Sequence, residues 1–129
     1  MGGDCYLTQF LYPKDGKGVT YLVDWQGGWA DISSIDLVRL LPAFWTPEQR
    51  REGDRERRLL DRYLAILGAC GVTGYGWEQL SYDYRLLLIY MVLHPVWDAV
   101  VGTSRSYWWP TMTCLTSAYQ DWQCEQLLA

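Results

Sequence analysis

Histidine occurs once in these 129 residues, lysine twice and phenylalanine twice, and the four cysteines form no Cys-x-x-Cys pair. Each scarcity excludes something. One histidine and the scattered Cys5, Cys70, Cys114 and Cys124 give no zinc spacing, and a chain of this length does not need disulfide staples. The cysteines therefore read as reduced thiols, and the expected location is cytoplasmic. Bases are outnumbered, 11 Lys and Arg against 15 Asp and Glu, for a net charge of −4. That leaves no broad basic footprint for phosphate backbones, so nucleic acid is not an expected partner. The longest apolar run, Leu86 to Leu93, is far shorter than the roughly 20 residues that span a bilayer, and no signal peptide precedes the first predicted strand, so no membrane partner is expected either.

Large rings are plentiful. Eight Trp and ten Tyr stand in a chain that is 50% hydrophobic, and such rings either pack a core or line a groove, the core being the commoner use. The length suits one domain with a core of its own.

The patterning predicts an α+β, mainly α fold in two parts, residues 1–32 forming a β-rich head and residues 33–129 a helical body. Residues Tyr6 to Tyr12 read as a strand, Pro13 to Gly18 as a turn and Val19 to Asp24 as the returning strand. Ser33 or Ser34 is placed to cap a short helix carrying Ile35, Leu37, Val38, Leu40 and Leu41, with Pro42 at its end. Thr46-Pro-Glu-Gln49 has the composition of a capping box, and the apolar stripe Leu59, Leu60, Tyr63, Leu64, Leu67 follows. Gly53 is expected to break the first turns of that helix, and Gly68 and Gly71 to end it. A third helix starts near Trp77. Between Leu86 and Leu93 it is apolar all round, as a helix enclosed by neighbours is, and Pro95 is expected to kink or stop it. A last helix is predicted from about Pro110 to Leu128.

One position in the head is chemically pointed. Asp24 ends an apolar strand, where a charge is costly unless solvated, hydrogen-bonded or holding a cation. If the hairpin tip is Gly16-Lys17, Asp24 lies opposite Gln9; another loop placement changes that partner to Leu7 or Leu11. A carboxylate and an amide carbonyl both offer oxygen, the donor that magnesium prefers. Asp4, after Gly2 and Gly3, is able to turn toward the same end of the hairpin. Such a trio has the minimum equipment for phosphoryl transfer, while the plainer reading is that these aspartates cap turns.

The segment Gly3-Asp4-Cys5-Tyr6-Leu7-Thr8-Gln9, then Tyr21-Leu22-Val23-Asp24-Trp25 and Asp36-Leu37, resembles the aminoglycoside phosphotransferase and choline kinase-like family of small-molecule kinases. Gly71-Val-Thr-Gly-Tyr-Gly-Trp77, Asp83-Tyr84-Arg85, His94-Pro-Val-Trp97 and Trp108-Trp109 extend the likeness. The resemblance implies a kinase-like carboxy-terminal lobe in which Asp4 receives or orients the proton of a substrate hydroxyl. Gln9 and Asp24 then bind magnesium, and ATP is the co-substrate. Asp36 is read as a structural helix-start residue. Three positions depart from the pattern: Gly2 and Tyr6 stand where the family has histidines, and Gln9 where it has asparagine.

Both lysines, Lys14 and Lys17, fall in the predicted turn, so no strand-borne lysine grips ATP phosphates. The resemblance accounts for this by placing an amino-terminal lobe before residue 1, and the chain is expected to be a single partial domain, inactive alone. The implied activity is phosphate transfer to a small-molecule alcohol; the alternative is an inactive kinase-like remnant serving as a binding or interaction module. His94 reads first as a core residue and second as a wall of the acceptor pocket. Trp97, Trp108 and Trp109 read first as seals at helix junctions and second as rings that stack on a sugar or cationic head group. The cluster Arg50, Arg51, Arg55, Arg57 and Arg58, interleaved with Glu48, Glu52, Asp54, Glu56 and Asp61, reads as a solvated helix face with no ligand. Surface that would meet the other lobe is expected to lie exposed around the hairpin.

Overall fold

The structure is a computed structural model and describes residues 7–23 and 31–129. Its described residues are mainly helical with one small antiparallel hairpin, which is the expected class. None of its helices is long and apolar enough to cross a membrane.

The hairpin is shorter than the alternation predicts. Leu7–Gln9 form a turn of 3-10 helix, followed by β1 (Phe10–Leu11), which pairs with β2 (Tyr21–Leu22). Phe10 lies opposite Leu22 and Leu11 opposite Tyr21, a register one residue away from the one built on a Gly16-Lys17 tip. The turn explains the difference. Gly16 N–H donates to the Pro13 carbonyl at 3.0 Å and Lys17 N–H to Asp15 Oδ1 at 3.1 Å, so the chain closes on Pro13 to Gly16. Gly16 and Gly18 both take positive φ, and a side chain at either would be strained. Leu11, Tyr12, Val19 and Tyr21 are exposed, as expected of this end of the chain.

Helix α1 (Ile35–Leu40) follows Ser34 and carries Asp36 in its first turn, though Ser34 makes no side-chain capping bond. Helix α2 (Pro47–Arg51) opens with the complete capping box. Thr46 Oγ1 accepts from Gln49 N–H at 3.3 Å, and Gln49 Oε1 accepts from Thr46 N–H at 3.0 Å. The break expected at Gly53 is present. Gly53 and Asp54 are both left-handed (φ 55° and 53°), and a 3-10 turn at Glu52–Asp54 leads into α3 (Arg55–Ala69). Gly71, at φ 86°, terminates α3, whereas Gly68 lies inside it.

Helix α4 (Trp77–Val100) continues through Pro95, so of the two expected outcomes, a kink or a stop, the stop does not occur. An internal proline costs about 3 kcal/mol. Packing outweighs it, because Leu80, Tyr84, Leu87, Leu88, Met91 and Pro95 are buried on one side of α4, and each large apolar side chain contributes about 1.5–3 kcal/mol. Helix α5 (Arg105–Asp121) starts a turn and a half earlier than predicted, carries Pro110 in its second turn and packs along α4. A 3-10 turn, Cys124–Leu127, then brings Cys124 into the core, where burial pushes its thiol up to about 11. Cys70, Cys114 and Cys124 are free thiols.

The core joins Ile35 and Val38 of α1, Leu60 of α3, the inner face of α4, and Leu115 and Ala118 of α5. At its edge lies a charge network that the reading as a solvated face misses. Arg50 is 2% exposed, and its Nη1 donates to Glu56 Oε2 at 2.8 Å. Its Nη2 donates to Asp121 Oδ2 at 2.7 Å and to Ser117 Oγ at 3.2 Å. Glu56 accepts further from Tyr84 Oη at 2.7 Å and Trp122 Nε1 at 3.1 Å. Opposite charges three and four residues apart suggest a solvated helix face, but Arg50 and Glu56 lie on either side of the Gly53 break. The left-handed pair at 53–54 turns α3 relative to α2, so that residues 50 and 56 face each other across the bend.

A guanidinium held in this way is costly to remove, because its carboxylate partner stays behind. Arg50→Ala is expected to destabilise the fold by about 3–5 kcal/mol in urea unfolding, while Arg62→Ala on the exposed side of α3 leaves it nearly unchanged. Acid tests the same network. Burial pushes the Asp121 carboxyl up, but hydrogen bonds from Arg51 and Arg50 outweigh it and hold the group below the usual carboxylate range. Its contribution is complete above the unfolded value of about 3.9 and is lost as pH falls through the lower folded value. Asp121→Asn is therefore expected to flatten the loss of stability below about pH 4, read from denaturant titrations across that range.

Candidate functional site

Of the three residues singled out for phosphoryl transfer, Asp4 and Asp24 lie outside the described residues. Gln9 is half-buried at the end of the Leu7–Gln9 turn, and its carbonyl accepts the N–H of Val23 at 2.9 Å. Register thus brings Val23, the residue that precedes Asp24 in sequence, across from Gln9. Among the described residues no group of three His, Cys, Asp or Glu side chains stands ready to hold a metal ion. The amide of Gln9 and the carboxylate of Asp24 carry oxygen donors, the ligand type that magnesium prefers.

A cavity of about 360 Å³ lies beside the Leu7–Gln9 turn. Thr8 forms part of its wall, with Phe44 from the segment after α1, His94 and Asp98 from α4, and Tyr107 and Trp108 from α5. The ring of Trp108 is held in place by Nε1–H donating to the Thr103 carbonyl at 3.2 Å and by an edge-to-face contact with Trp109 at 5.6 Å. His94 meets Tyr90 edge-on at 5.4 Å. Thr8, His94, Asp98, Tyr107, Trp108 and Thr111 thus border one space, together with apolar Ala43, Phe44, Met91 and Pro95.

His94 is half-buried and lines this cavity rather than lying fully in the core. Trp97 seals no junction, being 66% exposed, and Trp109 is exposed beneath the guanidinium of Arg105 at 4.5 Å. Asp98 was missed altogether, although a signal existed. His94 and Asp98 are four residues apart and share a helix face, but a helix taken to stop at Pro95 has no such face.

The other segments of the family likeness have structural work. Asp83 is buried and accepts from Tyr75 Oη and Gln79 Nε2, both at 2.8 Å. Burial, reinforced by that carboxylate, pushes the Tyr75 phenol up to about 12. Tyr84, fully buried, is pushed well above the ordinary tyrosine value by burial and then by Glu56. Arg85 donates to the Gln123 carbonyl at 2.6 Å, tying α4 to the end of α5. A second hollow, at Arg50, Arg51, Asp54, Arg57 and Asp121, is crossed by the ion pairs of Arg50 and Arg51 with Asp121.

Comparison of the chain with protein-family models, with characterised proteins and with solved structures finds no match.

Removal of the Asp83 carboxylate tests its part in setting Tyr75. Asp83→Asn is expected to lower the Tyr75 titration point from about 12 toward the ordinary value, followed by phenolate absorbance, without abolishing the upward shift that burial causes.

Proposed function

We propose that this chain is the carboxy-terminal, kinase-like lobe of an ATP-dependent phosphotransferase, and that the cavity between the Leu7–Gln9 turn and helices α4 and α5 seats the small alcohol it phosphorylates. The observation that carries this reading is the position of Thr8. It adjoins Gln9 in sequence and forms the cavity wall with His94, Asp98 and Trp108, so an alcohol bound there meets the segment in which the sequence motif concentrates its candidate catalytic groups.

In this reading Asp4 orients the acceptor hydroxyl and takes its proton, and Gln9 and Asp24 offer oxygen ligands. Magnesium-bound ATP, when present, supplies the phosphoryl group and neutralises its charge. The hydrogen bond from Val23 N–H to the main-chain carbonyl of Gln9 pairs Val23 rather than Asp24 with Gln9, so the proposed ligand pair draws its support from the sequence motif. His94 and Asp98 contribute polar contacts that orient the acceptor, and Trp108 a face on which it rests. A lysine to grip the nucleotide must come from an amino-terminal lobe, since Lys14 and Lys17 are exposed in the hairpin turn. A cavity of about 360 Å³ favours an acceptor toward the small end of the range for ligand sites.

A second reading, a kinase-like binding module without turnover, draws on Gly2, Tyr6 and Gln9, which replace two histidines and an asparagine of the family pattern. Glutamine keeps the carbonyl ligand but carries one more methylene, which displaces a bound ion by about one bond length.

One experiment separates the two. In protein carrying a lysine-bearing amino-terminal lobe, small alcohols are screened for ATP consumption, and Asp4→Asn is expected to lower turnover about 10²–10⁴-fold while acceptor binding persists. Undiminished turnover in Asp4→Asn overturns the role given to that residue. Acceptor binding with no turnover in the lobe-complete protein identifies the binding module instead.

A further inference from the structure

Helix α4 buries one face and leaves a second apolar face open. Leu86, Tyr90, Leu93, Trp97 and Val100 recur at steps of four, three, four and three, and all five are exposed, Leu93 by 59% and Val100 by 73%. Tyr82 continues the row at one end, and Val96 and Val101 widen it at the other. No Asp, Glu, Lys or Arg interrupts the sequence from Leu86 to Trp97. This contradicts the expectation that the stretch is enclosed. Among the described residues nothing covers its outer half, although its composition is that of a helix with neighbours on every side.

We propose that this face pairs two copies of the chain, α4 against α4, antiparallel about a two-fold axis at Leu93. The spacing carries the argument. Alternating steps of four and three residues form the seam of a left-handed helix pair, which another helix of the same period fills at a crossing of about 20°. The row is also complementary to itself when reversed. With Leu93 on the axis, Tyr90 of one copy lies beside Trp97 of the other, and Leu86 beside Val100, so each large ring stacks on a ring and each aliphatic meets an aliphatic.

The area fits a pair of copies as well. Tyr82, Leu86, Tyr90, Leu93, Val96, Trp97, Val100 and Val101 together expose on the order of 800 Å², and a standard interface buries about that much per partner. Depletion of charge with enrichment of Tyr and Trp is the composition of an interface centre. The exposed apolar residues of the hairpin, Leu11, Tyr12, Val19 and Tyr21, lie on a short two-stranded ribbon without such a row. This inference does not depend on the phosphotransferase reading.

Sedimentation equilibrium of the full chain tests it. The wild type is expected to be a dimer at tens of micromolar, with Trp97 fluorescence shifted to shorter wavelength as the dimer forms. Leu93→Glu and Val100→Glu, at positions already exposed in the single chain, are each expected to raise the dissociation constant at least about 100-fold while far-UV circular dichroism is unchanged. Tyr21→Glu on the hairpin is expected to leave the dimer intact. A wild type that stays monomeric at about 100 μM, including one that binds lipid vesicles instead, overturns the proposal. So does a dimer that survives both α4 substitutions, or one lost to Tyr21→Glu alone.

Discussion

A single guanidinium organises the helical body. Arg50, at the end of a five-residue helix, is buried against Glu56 of α3 and Asp121 of α5, and Glu56 reaches on to Tyr84 of α4 and to Trp122 beyond α5. Four helices meet at one charge cluster. Its net contribution to stability is small if the whole set is compared with well-packed apolar side chains, because desolvation offsets most of the attraction. What it supplies is orientation. Each partner has fixed donors and acceptors, so α2, α3, α4 and α5 dock in the arrangement that satisfies them together. That arrangement places α4 and α5 side by side, and the cavity opens between their far ends.

Local chemistry was legible in the sequence wherever a few adjacent residues decide the outcome. Thr46-Pro-Glu-Gln49 closes its capping box, Gly53 breaks the helix that follows, and two glycines shape the hairpin turn. Features decided by distant partners were not. Arg50 and Glu56 sit in a segment that reads as a mixed-charge surface, and Tyr84, Ser117, Asp121 and Trp122, all distant in sequence, make it an interior. The register of the hairpin slipped by one because the turn closes on Pro13 rather than on a two-residue tip.

Pro95 shows how one local rule hides a site. As a helix breaker it assigns His94 to an end and Asp98 to whatever comes next, which dissolves the pairing of the two on a common face. With α4 continuous, both line the cavity next to Thr8, a space that periodicity in any single segment does not reveal. Asp4 and Asp24, the other candidates, lie outside the described residues, so the sequence alone bears on them.

Tyr90 belongs to two surfaces at once. One side of its ring is open to solvent, and another part meets the His94 imidazole edge-on at 5.4 Å. The imidazole lines the cavity, and Tyr90 lies against it. A body settling on the outside of α4 therefore touches a ring that itself rests on the His94 imidazole, so the outer face and the cavity share one aromatic contact.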